Sequence, residues 1–311
     1  MVQPLPITMF PYEQPSNDLL EDIRAEEGMT AESIQRDVQT LKEWMQKQPH
    51  LPNITDDRVF ERFLYHCKNS IERTKAKLDA YYTVRAANPD YFHNRDPLDP
   101  LIVETTEVMF FCVLPKLTPQ GDRVSILKIF DSDVSKFNPV QLFKTAFMQL
   151  DCHLPEDLCR RHILVYDMKG GSIGHVGTLT IPVVKKFFTS GLVGMPTRYT
   201  GFHVVNAPTF AESFISLTKS FLKDKLAKRV HVHSDVASLH QHIPKEILPE
   251  ESGGTYSKTM SQLRDISFGA MKEHREWFQK QEQMVADESK RLGKIHSEDH
   301  LEGSFRKINI D

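Results

Sequence analysis

The sequence predicts an α/β fold in which an all-helical N-terminal region leads into a mixed or largely parallel sheet covered by helices. Over residues 16–95, apolar side chains recur at helical spacing. From residue 105 onwards, short apolar runs alternate with amphipathic segments. Residues 198–232 contain a strand, an amphipathic helix and a second strand without spare residues. Two strands joined by such a crossover must run parallel in one sheet.

The composition is that of a globular protein with a sizeable core. The 311 residues exceed the usual size of one domain, so we expect a large domain and a smaller one. Hydrophobic residues make up 40% of the chain and charged residues 26%, and the net charge of -3 argues against extensive nucleic-acid binding. No run approaches the ~18 apolar residues of a membrane span, and the first residues lack the pattern of a signal peptide. We therefore expect a cytoplasmic protein, peripheral to membranes.

The cysteines predict neither a metal site nor a redox centre. No pair has CxxC spacing, and none falls into a fixed pattern with histidine. We therefore expect reduced, mostly buried thiols, no metal ion and no cofactor. The cysteines are Cys67, Cys112, Cys152 and Cys159.

The N-terminal region is predicted to be a short arm followed by helices. Four prolines within residues 1–15 indicate an extended arm rather than a regular element. Helices are then expected over residues 16–95, each opened by a side chain that can cap the first free N–H groups. The expected caps are Asn17 or Asp18, Thr30, Asp56 and Ser70.

The middle of the chain is predicted to alternate between strands and helices. The apolar runs VMFFCVL and RVSILKIF flank the turn LTPQGD and predict a hairpin at the sheet edge. We expect a helix from Pro139 to Leu150, a buried strand HILVYDM, and a further helix around Val183 and Phe187. The glycine-rich segment GGSIGHVG between them is expected to be a loop.

The sequence offers little support for an enzyme. A dinucleotide fingerprint needs glycines at i, i+2 and i+5, and the glycines of residues 170–177 do not supply that set. No serine or cysteine lies in a recognisable nucleophile elbow, and His153 and His162 lack paired carboxylates at useful spacing. We assign no catalytic residues, and an enzyme that uses the α/β cleft is a remote alternative.

The helix within residues 198–232 allows two interpretations. Pro208 suits its first turn, and Phe210, Phe214, Leu217 and Phe221 form one apolar stripe. Such a stripe is typical of a helix packed on a sheet. A lid over an apolar cavity needs the same stripe, and the basic residues that follow would suit anionic lipid headgroups. The pattern alone does not separate these interpretations.

Three segments of the chain together carry a family resemblance. They are DDRVFERFLYHCKNSIERTKAKLDAYYTVRAANPDYF in the N-terminal helices, VYDMKG at the end of a strand, and GFHVVNAPTFAESFISLTKSFLKDKLAKRVHVHSD followed by LPEESGG. They resemble, in that order, the helical lead-in, the aspartate-and-glycine strand end and the most diagnostic stretch of the CRAL-TRIO family of lipid-transfer proteins, in particular its tocopherol-transfer and retinaldehyde-binding branch. The resemblance covers residues 55–255, and the ending GSFRKINID is similar to the tail of arthropod members.

The resemblance implies a cage between the sheet and its covering helices that holds one small hydrophobic ligand beneath a mobile gate helix. Phe210, Phe214 and Leu217 would lie on the gate. Either Tyr166 or His162 would offer a lone hydrogen bond to the ligand, although a partly buried histidine is more often satisfied by protein or water. The other expected wall residues are Leu127, Ile129, Phe143, Ala146, Leu150, Leu164, Phe187, Phe202 and Val204.

In the tocopherol-transfer branch a basic patch binds phosphoinositide headgroups, and part of that patch is matched here. Lys225 and Arg229 occupy two of its positions, and on one helical face they would clamp a phosphate together. Arg198 matches a third position, whereas Thr200 replaces an arginine and YHC replaces the family's RAR, leaving Lys68 one residue further along. We expect attraction to anionic membranes, with phosphoinositides as candidate headgroups.

These expectations lead to one function and one alternative within the same fold. The function is a non-enzymatic carrier that takes a tocopherol-, retinoid-, carotenoid- or similar isoprenoid-like ligand between membranes. The alternative is a phospholipid or phosphoinositide sensor that presents lipid without bulk transfer. No obligate protein partner is predicted. The expected organisation is an arm over residues 1–15, a helical domain over 16–95, a lipid-binding domain over 96–256, and C-terminal helices with a tail over 257–311.

Overall fold

The computed structural model describes residues 12–154 and 156–292, so most of the expected arm and tail lies outside the described residues. The helices are α1 (Asn17–Glu26), α2 (Ala31–Gln46), α3 (Asp57–His66), α4 (Ile71–Ala87), α5 (Pro89–Phe92), α6 (Pro100–Val108), α7 (Pro139–His153), α8 (Ile173–Thr178), α9 (Ile181–Thr189), α10 (Ala211–Ser220), α11 (Asp224–Ala227), α12 (Val236–Leu239), α13 (Met260–Glu273) and α14 (Arg275–Gln281). The strands are β1 (Met109–Leu117), β2 (Arg123–Ile129), β3 (His162–Asp167), β4 (Tyr199–Val205) and β5 (Val230–Val232).

Most N-terminal helices begin at the capping residues that the sequence predicts. The side chains of Thr30, Asp56 and Ser70 accept hydrogen bonds from first-turn N–H groups of α2, α3 and α4. In α1 this role falls to Ser16, one residue before the expected Asn17, and its side chain accepts from the Leu19 N–H. The apolar faces of these helices join a core that extends to the sheet.

Among the described residues, the strands form one sheet in the order β1-β2-β3-β4-β5. The hairpin of β1 and β2 is antiparallel and lies at the sheet edge, as the turn LTPQGD predicts. The pairs β2–β3, β3–β4 and β4–β5 are parallel, so the strand-helix-strand unit of residues 198–232 is confirmed. The predicted fold class, a helical region followed by a mixed α/β sheet, is also confirmed.

The helix expected after Pro208 is shorter than predicted and is interrupted. Asn206 adopts a left-handed φ of 53°, and α10 begins only at Ala211. α10 ends at Ser220, and α11 begins separately with Asp224 in its first turn, where an acidic side chain favours a helix N-terminus. Since α11 ends at Ala227, the expectation that Lys225 and Arg229 share one helical face is wrong.

The glycine-rich segment GGSIGHVG is not wholly a loop, because α8 forms within it. A capping box joins Ser172 to His175: the Ser172 N–H donates to His175 Nδ1 at 3.2 Å. This local pairing explains how a short helix starts in a segment whose composition predicts a loop.

Both faces of the sheet are covered. On one face, the N-terminal helices and α7 pack with Met109 and Ile129 in a large apolar core. On the other face, α13 and α14 pack against Phe110, Ile126 and Val165. Successive residues of a strand point to opposite faces. The side chains of β1 to β4 that alternate with Phe110, Ile126 and Val165 therefore face the N-terminal helices and α7.

Candidate ligand-binding cavity

An apolar cavity lies between one face of the sheet and the helices α7, α9 and α10. A row of paired residues crosses the sheet beneath it: Phe111 lies opposite Leu127, Leu127 beside Tyr166, and Tyr166 beside Val204. The neighbouring Ile126 belongs to the core on the opposite face. Strand register therefore determines which side chains form the cavity floor.

Three helices supply the opposite wall. Phe143 of α7 and Phe187 of α9 both line the cavity, and their rings stack with centroids 4.0 Å apart. α10 contributes Phe214, Ile215 and Thr218. The cavity is consequently bounded by a rigid sheet on one side and by separate helices on the other.

The cavity has a volume of about 180 Å³. The lining is predominantly apolar and aromatic, which is typical of sites for small hydrophobic molecules. The residues that line it are Met109, Phe111, Leu127, Phe137, Leu142, Phe143, Phe147, Leu150, Leu164, Tyr166, Leu179, Val184, Phe187, Phe188, Gly191, Leu192, Tyr199, Phe202, His203, Val204, Phe214, Ile215, Thr218, Leu222 and Val230.

Few polar side chains reach the cavity, and they differ in whether they already have partners. The Thr218 hydroxyl donates to a carbonyl of its own helix at 2.8 Å, and His203 Nδ1 lies 2.9 Å from His233 Nε2. The Tyr166 hydroxyl makes no hydrogen bond to the described residues. Burial, followed by the negative charge of Asp167, raises the pKa of Tyr166 to about 12. Tyr166 is thus a neutral phenol whose hydroxyl can donate a hydrogen bond to a ligand or accept one from it.

The predicted wall residues divide into two groups. Those that line the cavity are Leu127, Phe143, Leu150, Leu164, Tyr166, Phe187, Phe202, Val204 and Phe214. Those that lie outside its lining are Ile129, Ala146, His162, Phe210 and Leu217.

The residues outside the lining have other roles in packing. Ile129 packs against Gly170, at the end of β2. Ala146 is buried within α7, and Phe210 packs with Met168 in a small cluster ahead of α10. Leu217 is half-buried on α10. The inward face of this helix is therefore rotated by one residue from the expected stripe.

His162 packs away from the cavity. Its ring stacks on that of His66 with centroids 6.3 Å apart, and its Nε2 lies 3.7 Å from the Cys159 Sγ. Burial lowers the pKa of His162 to about 4. The ring is therefore neutral near pH 7, and Tyr166 is the better placed of the two candidate hydrogen-bonding groups.

The three predicted membrane-contact residues are engaged in different ways. Arg198 forms an ion pair with Glu27 at 2.6 Å. Arg229 donates a hydrogen bond to the carbonyl of Tyr199. Lys225 is exposed on α11. The structure thus leaves Lys225 as the most accessible of the three.

Lys68 lies close to two of these cations. Burial, then the positive charges of Lys225, Arg198 and Arg73, lower the pKa of Lys68. We call Lys68, Arg73, Arg198 and Lys225 the basic cluster. The cluster joins the end of α3 to α11, although these segments are far apart in the sequence.

Sequence reasoning missed several lining residues. Phe111 follows Phe110, which lies in the opposite core, so strand alternation would have placed it on the cavity face. Ile215 and Thr218 of α10 and Leu222, just beyond its end, repeat at spacings of three and four residues, which in the sequence is also a helical stripe. The sequence contains both stripes, and packing selects between them.

Two exposed apolar side chains lie on the helices α8 and α9. Ile173 of α8 is 72% exposed and Ile181 of α9 is 58% exposed. α8 packs against α10, so Ile173 lies near the helix that lines the cavity. Within the part of the chain that the structure describes, no helix is long and apolar enough to span a membrane.

A mixed sheet with an apolar cavity beneath its covering helices is typical of proteins that bind small hydrophobic molecules. Comparison with known proteins identifies the family. The profile described as "CRAL/TRIO domain" matches residues 107–254, and the profile "Pinta-like, UBA domain" matches residues 30–102. Clavesin-1 of Rattus norvegicus is 30% identical over 245 residues, which cover 77% of this chain and 69% of clavesin-1. The chain belongs to the CRAL-TRIO family, whose members bind and transfer lipids.

Two further comparisons agree with this assignment. The protein named "Alpha-tocopherol transfer protein-like" of Homo sapiens is 29% identical over 244 residues, covering 77% of this chain and 71% of that protein. The crystal structure of Sfh5 superimposes with a TM-score of 0.52 over 81% of this chain and 92% of Sfh5. At 15% identity, this second similarity shows the fold alone.

Proposed function

We propose that this protein is a carrier that holds one small hydrophobic molecule in the cavity and exchanges it at membranes. The observation that supports this most directly is an apolar cavity whose wall includes Tyr166, a phenol with no hydrogen-bond partner among the described residues. Burial of apolar surface contributes about 25 cal/mol per Å². The lining would therefore supply most of the affinity, while Tyr166 would set the orientation of the ligand.

The cargo that fits this lining is a largely apolar molecule with one hydroxyl or carbonyl group. Tocopherols, retinoids and carotenoids with an oxygen function have this chemistry. The name of the Homo sapiens relative, "Alpha-tocopherol transfer protein-like", supports the same ligand class. A phospholipid fits less well, because its buried phosphate would need cationic partners and no lysine or arginine is among the described lining residues.

α10 would act as the gate of the cavity. Phe214 and Thr218 face the cavity from this helix, so its displacement would open one wall. The left-handed Asn206 lies before α10, and the interruption at residues 221–223 lies after it. Both segments can absorb a change in backbone angles while the sheet stays in place.

Docking to a membrane would involve the basic cluster and the exposed apolar residues beside α10. Lys225 is exposed and would attract anionic headgroups, and Ile173 would enter the apolar layer of the membrane. Because α8 packs on α10, insertion of Ile173 would act on the gate directly. This arrangement couples docking to release of the cargo.

The phosphoinositide sensor is the alternative function, and the basic cluster is the observation that favours it. Lys225 and Arg198 each lie close enough to Lys68 for their positive charges to lower its pKa. Such a group of cations suits a phosphorylated headgroup. Under this alternative, headgroup binding would occur without transfer of cargo between membranes.

Catalysis is not part of the proposal. Among the described residues, a thiol lies near an imidazole at Cys159 and His162, where Sγ is 3.7 Å from Nε2. Burial raises the pKa of the Cys159 thiol well above its usual value and lowers that of His162 to about 4. Neither a thiolate nor a protonated imidazole forms near pH 7, and both side chains lie outside the cavity lining.

A vesicle transfer assay tests the proposed function. Donor vesicles that contain tocopherol or retinaldehyde are mixed with acceptor vesicles, and protein-dependent movement of the ligand is followed by fluorescence. Leu164→Trp, which fills the cavity from the sheet side, should reduce transfer at least tenfold. Phe268→Trp is the matched control, because Phe268 packs in the core on the opposite face. Absence of transfer, or equal transfer by Leu164→Trp, contradicts the carrier function.

A further inference from the structure

Four histidines meet at the edge of the sheet, next to the cavity. His203 of β4 and His231 of β5 are paired in register, and their rings stack with centroids 5.0 Å apart. His233 follows β5, and its ring lies 5.2 Å from that of His203. His242 follows α12, and its ring lies 4.8 Å from that of His203. We call these residues the histidine cluster.

Three members of the cluster offer nitrogens at a spacing that suits one metal ion. One ring nitrogen each from His203, His233 and His242 lies within 4.8 Å of the others. His203 Nδ1 and His233 Nε2 are already 2.9 Å apart. Tetrahedral Zn²⁺ with imidazole at about 2.0–2.1 Å places its nitrogens about 3.3 Å apart. His242 is exposed in a turn, so its side chain can move the short distance that brings its nitrogen to the same metal ion.

The hydrogen bonds of Ser238 set the tautomer of His233. The Ser238 hydroxyl donates to the Asp235 carbonyl at 2.8 Å, so it accepts from the His233 Nδ1–H, which lies 2.8 Å away. With its proton on Nδ1, His233 presents the lone pair of Nε2 to His203. Metal-binding histidines typically have such a partner behind the ligating ring.

His203 is positioned by its neighbours in the same way. A Cβ on Gly201 would lie 2.6 Å from His203 Nε2, so the glycine makes room for the ring.

We propose that His203, His233 and His242 bind one transition-metal ion of the Zn²⁺ class. Imidazole ligands suit zinc, copper and nickel rather than calcium or magnesium, which prefer oxygen. A water molecule or His231 completes the coordination. Because His203 also lines the cavity, the metal ties β5 and the turn at residues 240–243 to the cavity wall.

The sequence could not predict this site. His203 and His233 are separated by 30 residues, and they meet only because β4 and β5 pair in parallel. The pattern HVH of residues 231–233 places alternate side chains on one face of a strand, whereas the third ligand comes from a turn nine residues later. No fixed ligand spacing arises from this arrangement.

Metal titration of the chelator-treated full-length protein tests the proposal. Zn²⁺ binding is measured by calorimetry, and Co²⁺ binding by its visible absorption in the tetrahedral state. We expect one ion per chain and a higher melting temperature in its presence. His242→Ala should weaken binding at least 100-fold without loss of fold, because His242 is exposed. Ser238→Ala should weaken it about 10–100-fold.

His240→Ala is the matched control, since His240 lies in the same turn outside the three-ligand group and should keep wild-type affinity. Absence of saturable binding by either metal overturns the proposal. Binding that survives both His242→Ala and His233→Ala also overturns it, because the metal would then be held by histidines elsewhere in the chain.

Discussion

The rings of Phe143 and Phe187 stack face to face, with centroids 4.0 Å apart and planes inclined by 16°. This contact joins α7 to α9, and both side chains line the cavity. Phe188, the next residue of α9, stacks on Phe221 beyond the end of α10. Aromatic contacts therefore connect α7 and α9 to the end of the proposed gate helix, α10.

Removing one ring of this stack should weaken ligand binding. If the ligand covers the ring, Phe187→Ala should lower the binding free energy by about 1.5–3 kcal/mol. This loss corresponds to roughly a 10–100-fold rise in Kd. Titration with a fluorescent retinoid measures the change. Phe268→Ala, on the opposite face of the sheet, should leave the Kd unaltered. Equal weakening by both variants would show that general destabilisation is responsible.

Tyr166→Phe should reduce affinity only for ligands with a hydroxyl or carbonyl group. Loss of one hydrogen bond costs about 0.5–1.5 kcal/mol, so the Kd should rise about 2–12-fold, whereas a pure hydrocarbon analogue should bind equally to both proteins. Tyr199→Phe is the matched control at a second cavity tyrosine, because the Tyr199 hydroxyl bonds to Thr197. An unchanged Kd for the hydroxylated ligand would remove Tyr166 from the orienting role.

The basic cluster should control membrane affinity and not ligand affinity. Lys68→Ala with Lys225→Ala should reduce binding to anionic vesicles and make the remaining binding less sensitive to salt. Co-sedimentation with vesicles that contain phosphatidylserine or phosphatidylinositol phosphates measures the effect. Lys280→Ala, at an exposed lysine of α14, is the control. If the double variant binds as the wild type does, docking occurs through another surface.

A buried ion network should be important for folding. Arg95 donates to Asp151 at 2.5 Å, and Arg85 contacts the other carboxylate oxygen, with Asp151 fully buried. Asp151→Asn leaves two buried cations uncompensated and should lower the free energy of unfolding by about 3–5 kcal/mol. Asp96→Asn, which breaks a more exposed pair with Arg275, should cost much less, because solvent screens exposed ion pairs. Urea unfolding compares them, and equal losses would contradict this account.

Acid should destabilise the protein through its buried histidines. Burial lowers the pKa of His162 to about 4 and that of His66 well below its usual value. The unfolded chain binds these protons near pH 6.5 and the folded chain does not, so stability is complete above pH 6.5 and falls as the pH decreases towards 4. Each fully shifted histidine contributes up to about 1.4 kcal/mol per pH unit.

Urea unfolding at pH 7.5 and pH 5.0 checks this dependence. His162→Phe should keep the fold and lose less stability between the two pH values than the wild type does. If the wild type is equally stable at both, the histidines are not held neutral by burial.

The elements with local signals could be predicted from the sequence. Thr30, Asp56 and Ser70 cap helices because their side chains pair with N–H groups only a few residues away. The hairpin of β1 and β2 follows from the turn LTPQGD in the same way. Such features depend on neighbouring residues and are therefore visible in the sequence.

Features that depend on packing could not be predicted. Either of two apolar stripes could form the inward face of α10. In the folded chain the stripe that contains Ile215 and Thr218 faces the cavity. His162 shares a strand face with Tyr166, yet it packs on His66 of the N-terminal helices rather than on the cavity. The approach of Lys68 to Lys225 likewise exists only in the folded chain.

Native mass spectrometry of the purified full-length protein, followed by organic extraction and identification of what is released, tests the carrier function most directly. We predict one hydrophobic molecule per chain, largely apolar and with a single hydroxyl or carbonyl group, whose occupancy falls in Leu164→Trp and is retained in Phe268→Trp. A protein that is free of ligand and does not take up tocopherol, retinaldehyde or a carotenoid from vesicles would contradict it.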